Sequence, residues 1–334
     1  MAGDRYSAEW RRAGCRVVAG VTAVTLIACT GTMPSIDPDA PPATIAWTSF
    51  RWRGSMMGPR VVERSVLQVP VRLPNAPDSL FLQLDTGSDQ SMFYEIPYRE
   101  LRPGLPESLP RFVFEPAVVG TETLDRDTIW VRPKSGRPIA STRARTIGTL
   151  GADVLRRRVL VIDFAAERFA LLAPGVPVPA DLERRAGWAP LNYRNGKPFV
   201  RVRVAGTDRD DLFFDSGSSA FPLVVRRELW PEWTGRQRTD EANEVWLAMS
   251  WGREVPLIGA PLRGALSIAG VEFRTPTTFV HGDTTGIPGF FDTSHYPVAG
   301  YFGNALLGDS LTVIVDIPHN RFGLARTPRI RTAE

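Results

Sequence analysis

The chain is poor in cysteine, histidine and lysine, and each shortage removes a class of chemistry. It has 334 residues and 2 cysteines, Cys15 and Cys29. Both lie in or at the edge of an N-terminal targeting segment, so the rest of the chain has no disulfide available and no cysteine nucleophile. The 3 histidines, His281, His295 and His319, are scattered without an i, i+4 pair, and no metal site is expected. With no Gly-x-Ser-x-Gly elbow, a Ser-His-Asp triad is not expected either. Lysine occurs at Lys134 and Lys197 alone, so arginine carries nearly all the positive charge behind the formal net charge of +4. No helix-turn-helix, zinc spacing or basic-aromatic repeat accompanies that arginine, and no nucleic-acid partner is expected. The run Arg156-Arg157-Arg158 reads as the solvated face of a helix-like connector.

The apolar run Val17 to Ala28 has 12 residues, too short to span a bilayer but suited to the core of a signal peptide. Arg11, Arg12 and Arg16 precede it, and it ends Leu26-Ile27-Ala28-Cys29, which matches the bacterial lipobox. In that pattern the Cys thiol takes a diacylglycerol before cleavage, so residues 1–28 are expected to be a lipoprotein signal peptide and Cys29 the lipidation site. Lipid chains hold to a membrane by burying CH₂ groups, about 0.8 kcal/mol each. Thr30 after the Cys resembles lipoproteins sent to the outer membrane, so the expected address is the bacterial cell envelope. Residues 29–45 are rich in Pro, Ser, Thr, Gly and Asp, with no hydrophobic period, and read as a flexible tether.

Beyond the tether, 29 Gly and 29 Pro are spread along the chain, which suits many short strands and turns. Alternating runs such as Val66 to Leu73 and Phe199 to Val204 have the two-residue period of half-buried strands. Each precedes a near copy of the same motif. Leu82-Gln83-Leu84-Asp85-Thr86-Gly87-Ser88 and Leu212-Phe213-Phe214-Asp215-Ser216-Gly217-Ser218 are both apolar strands running into Asp-(Thr/Ser)-Gly-Ser. Downstream of the first lie Leu150-Gly151, Val159 to Phe164 and Arg168 to Leu171. Downstream of the second lie Phe302-Gly303, Val313 to Ile317 and Arg321 to Leu324. The Gly precedes the strand Asp by 12 residues in one copy (Gly151 to Asp163) and by 13 in the other (Gly303 to Asp316). Repeated order at matched spacing indicates a duplication, and a period this long indicates two lobes rather than a solenoid.

On these motifs, over roughly residues 60 to 328, the chain resembles the pepsin-like aspartic protease superfamily. The resemblance implies an all-β, two-lobed fold with pseudo-two-fold symmetry: an N-terminal lobe over 46–176 and a C-terminal lobe over 177–334, with Pro174 to Pro179 at the boundary. It implies Asp85 and Asp215 as a catalytic pair. Two carboxylates in contact do not both ionise cheaply, so such a pair holds one proton, as the acid pair of aspartic proteases does. The ionised member activates a water and the protonated member protonates the scissile carbonyl oxygen. Gly87 and Gly217 are expected to let the backbone approach the opposite lobe, with N–H groups available to the inner carboxylate oxygens. Thr86 and Ser216 match a cross-lobe hydroxyl pair. Ser88 and Ser218 match the position whose hydroxyl contacts an outer carboxylate oxygen.

The sequence departs from the family pattern where a flap tyrosine is expected. No Tyr lies between Tyr98 and Tyr193, so either Trp130 fills the flap role or the flap is retropepsin-like and needs no aromatic, a core position being the plainer alternative for Trp130. The first lobe is also shorter: 66 residues separate Asp85 from Gly151, against 88 between Asp215 and Gly303. The extra 22 are expected between Arg226 and Pro276, a stretch holding Trp230, Trp233, Trp246 and Trp251, more suited to packing than to an exposed patch. The implied activity is an endopeptidase acting on polypeptide, monomeric, with no metal or organic cofactor. The rival reading is a non-catalytic lipoprotein that binds peptide or a partner protein in its cleft.

Overall fold

The computed structural model describes residues 45–124, 128–139, 145–237, 241–250, 253–282 and 298–327. The signal peptide, Cys15, Cys29, all of the tether but its last residue, Trp251 and His295 lie outside the described residues. The architecture is all-β, with two sheets of 15 and 9 strands and a few short helices among the described residues.

The duplication read from the motifs is a duplication of topology. In the first lobe, strand Arg60–Arg72 runs antiparallel to Leu80–Leu84, which is parallel to Thr146–Leu150. That strand is antiparallel to Met92–Tyr94, which is parallel to Thr128–Arg132. In the second lobe, Lys197–Val204 runs antiparallel to Thr207–Asp215, which is parallel to Gly300–Gly303. That strand is antiparallel to Leu223–Val225, itself parallel to Thr277–His281. Order and direction agree strand for strand, and each Asp stands at or just past the end of the same strand.

The lobes meet in a shared antiparallel sheet, centred where Val159–Asp163 pairs with Leu311–Asp316 and Val161 faces Ile314. Arg168–Leu172 and Arg321–Arg326 flank that pair. Both central strands are buried along their whole length, which explains their unbroken apolar runs. The two strand aspartates are therefore buried, and each is neutralised in the same way. Arg168 Nε donates to Asp163 at 3.0 Å and Arg321 Nε to Asp316 at 2.7 Å, while the backbone N–H of Ala166 and of His319 each donate to them at 3.3 Å. A buried carboxylate without such partners costs several kcal/mol.

Three expectations change. Phe199 to Val204 alternates as expected from Val200 onward, but Val66 to Val69 is buried on both faces, because its strand lies inside the lobe rather than on its surface. Arg156 and Arg157 are solvated, whereas Arg158 is buried and donates to the carbonyls of Val154 and Thr123. Trp130 sits in mid-strand with neighbours on both sides, Met92 and Phe112, and its N–H donates to the Ser91 carbonyl. Trp130 thus lies at the base of the hairpin that Phe112–Phe114 makes with its strand, tied to Met92–Tyr94 on the other edge, rather than at a hairpin tip.

The larger second lobe gains a hairpin, Glu244–Ser250 with Arg253–Pro261, within the stretch expected to hold the extra residues. Trp230 and Trp233 are buried there, and Trp246 is half-buried with its Nε1–H on Glu244 at 2.8 Å. A hairpin of the first lobe, Arg51–Met57 with Arg60–Arg72, reaches over to it. Met57 at its tip packs into the cluster of Phe199, Phe213 and Tyr301, and the Arg60 guanidinium lies 4.4 Å over the Trp246 ring.

Candidate active site

Each catalytic-type loop leaves its strand at a carboxylate and turns at once. Asp85 and Asp215 come together between the lobes, both buried, with the two side chains within hydrogen-bonding reach of each other. The glycines permit this approach: a Cβ on Gly87 would collide with the carboxyl group of Asp215, and one on Gly217 with that of Asp85. Thr86 and Ser216 tie the two loops to each other reciprocally. The Thr86 N–H donates to Ser216 Oγ and the Ser216 N–H to Thr86 Oγ1, both at 3.0 Å. Thr86 Oγ1 then donates to the Phe214 carbonyl at 2.8 Å and Ser216 Oγ to the Leu84 carbonyl at 3.1 Å. Four bonds thus cross between loops 130 residues apart, all in buried surroundings where a missing partner is costly.

Glycines after the central strands hold the loops from behind. Gly151 and Gly303 pack so closely on Gln90 and Ser218 that neither tolerates a Cβ. The next residue hydrogen-bonds the loop in each lobe, Ala152 N–H to the Ser88 carbonyl at 2.9 Å and Asn304 N–H to the Ser218 carbonyl at 3.1 Å. This gives the apolar-Gly element of the sequence its physical role.

The serines after the glycines act differently from expectation. The Ser88 N–H donates to Asp85 Oδ1 at 3.0 Å, while its hydroxyl goes to the Gln90 carbonyl at 2.8 Å. Asp215 Oδ1 takes the Gly217 N–H at 2.9 Å, and the Ser218 backbone also donates to Asp215. Ser218 Oγ is buried and lies at Tyr301 rather than on the carboxylate. A tight turn points its N–H groups inward at the carboxylate, so the backbone does the work expected of the hydroxyls.

Burial pushes both carboxyls above the ordinary aspartate value of 3.8, and the charge of Asp215 pushes Asp85 further. Lys197 and the backbone N–H groups pull the other way. The pair therefore retains a proton into a pH range where an exposed aspartate is fully ionised, and it titrates as one unit. Tyr94, whose hydroxyl meets Thr149 Oγ1 at 2.8 Å, and Tyr301 also face the pair, and burial raises both phenols. Neither tyrosine nor Lys197 was a candidate on sequence grounds. Only the rarity of lysine singled out Lys197.

A cavity of about 260 Å³ lies against the segment that follows Ser88, lined by Asp89, Gln90 and Ser91, Phe112, Arg156 and, from the second lobe, Gly196; Asp85 and Asp215 are not in its wall. Two carboxyls in contact that share a proton make up a pair for general acid–base hydrolysis without a covalent intermediate.

No family model and no curated protein matches the chain. Among solved structures, an aspartic proteinase from Irpex lacteus matches with a TM-score of 0.41 and 13% identity, over 80% of this chain and 96% of that one.

Proposed function

We propose that the protein is an aspartic endopeptidase in which Asp85 and Asp215 share one proton and activate a water against a peptide carbonyl. The supporting observation is the mutual burial of the two carboxyls, each against the other lobe's glycine, with both raised in pKa. Such a pair is costly to the fold, and a binding cleft has no need of it. Either carboxyl alone supplies half of the chemistry. The test is cleavage of an unstructured polypeptide from acid to neutral pH, with and without pepstatin. Cleavage blocked by pepstatin supports the reading; peptide binding without cleavage at any pH where the protein is folded replaces it with a binding module.

The proposed address is the bacterial cell envelope, at the outer membrane or cell surface and facing periplasm or exterior, through lipid on Cys29. Labelling cells with a fatty-acid analogue checks this: wild type takes label and Cys29→Ser does not. Equal labelling of the two removes the anchor.

A further inference from the structure

Lys197 opens the strand Lys197–Val204 immediately after a two-residue turn, Asn195-Gly196, with both residues at positive φ (50° and 71°). That turn suits a tight hairpin, and it presses on the first lobe: a Cβ on Gly196 would collide with Asp89. Lys197 is thereby aimed across the lobe boundary. Its Nζ donates to the carbonyl of Gly87 and lies 5.4 Å from the centre of the Phe213 ring. Gly87 is the residue that packs against the Asp215 carboxyl. An ammonium on its carbonyl is thus held on the turn that contacts the acid pair, at a half-buried position.

We propose that Lys197 is a positioning residue of the acid pair: its ammonium, supplied by the second lobe and pinned to the first lobe's catalytic turn, sets the pH range in which the pair holds a single proton. The role rests on the peptidase reading for its consequence in catalysis, though not for its physics. Among the described residues, the groups facing the pair are Lys197 from its strand, Tyr94 and Tyr301 from theirs, and the N–H groups of the two loops. Arg53 and Arg132 act on Tyr94. Among the described residues, Lys197 is the cation that acts on both carboxyls, and it opposes burial at each. A positive charge favours the ionised form of either acid, so it moves both proton losses to lower pH. Removing it moves both to higher pH.

The experiment compares the full-length protein with Lys197→Gln, which keeps a donor for the Gly87 carbonyl but loses the charge, and with Lys197→Arg, which keeps the charge. Two readouts are taken across pH: kcat/KM on an unstructured peptide, and ¹³Cγ NMR of Asp-labelled protein, with Asp85→Asn and Asp215→Asn assigning the signals. In Lys197→Gln both limbs of the activity profile and both carboxyl titration steps move up by about one pH unit, as the loss of a nearby opposite charge requires. In Lys197→Arg they stay near wild type. A lower activity maximum with unmoved limbs and unmoved titration steps overturns the proposal and leaves Lys197 as a clamp between the lobes. Because the NMR titration needs no turnover, shifted steps in a protein that never cuts peptides uphold Lys197 while removing the peptidase reading.

Discussion

The two lobes repeat the same strands around the same acid, yet the rows of side chains beneath those acids are unlike. On the strand of Asp85 the residue two before it is Gln83, which pairs with Gln68 on one side and Thr149 on the other. On the strand of Asp215 the corresponding residue is Phe213, which pairs with Phe199 and Tyr301. The first row is a polar network, in which Gln68 binds Thr146 and receives Arg51 Nε at 3.0 Å. The second is a run of rings with centroids 5.5–5.6 Å apart. Lys197 stands two residues before Phe199; two before Gln68 stands the buried Val66. Among the described residues, the cation at the acid pair is thus supplied once, by one lobe. The atoms that touch the acids are kept in duplicate, while the layer that tunes them has diverged, which gives two identical acids unequal surroundings.

The largest effect tests the duplicated layer. Asp85→Asn and Asp215→Asn each lower peptide cleavage by at least ~10³-fold, and the double variant is little worse than either, since residues acting as a unit are grossly non-additive. Substantial activity in one single variant but not the other breaks the equivalence of the lobes. Next come the glycines. Gly87→Ala and Gly217→Ala each displace the opposite carboxyl and lower kcat by about 10²-fold, with similar severity. Thr86→Ala and Ser216→Ala each leave a buried N–H of the other loop without its partner, a loss of about 1–3 kcal/mol in denaturant unfolding. Unequal losses here mean that one lobe carries the junction.

The smallest effect concerns pH and stability. Burial raises both carboxyls in the folded state, so the folded pair binds protons more tightly than the unfolded chain does. The stability this lends is complete below the ordinary aspartate value of 3.8 and is lost as pH rises through the raised values. Asp85→Asn removes one of the two groups. Its melting temperature should exceed that of wild type at neutral pH, with the gap closing on acidification. A gap that widens toward acid reverses the assignment of burial as the leading cause.

The duplicated layer was legible because it was written twice. Asp85 and Asp215, their glycines and the Thr86–Ser216 pair follow from matched motifs at matched spacing. The topology follows from the strands that carry them. What sequence missed depends on main-chain atoms or on distant neighbours. Lys197 meets the carbonyl of Gly87, 110 residues away, and a carbonyl has no letter in a sequence. Ser88 and Ser218 were read by their hydroxyls, whereas the turn presents their N–H groups to the carboxylates. Trp130 was a flap candidate because a tyrosine was missing; its pairing on both edges shows a sheet residue. Arg158 sits in a run of three arginines, and only the fold separates the buried one from its two solvated neighbours.

The central claim is that one chain supplies both acids to one site. Mixing purified Asp85→Asn protein with purified Asp215→Asn protein tests it directly, because each variant keeps the acid that the other lacks. If both acids of a site come from the same chain, the mixture is as inactive as either variant alone, at any ratio and concentration. Peptide cleavage that returns on mixing would mean that the acids of two chains meet, and would contradict the account.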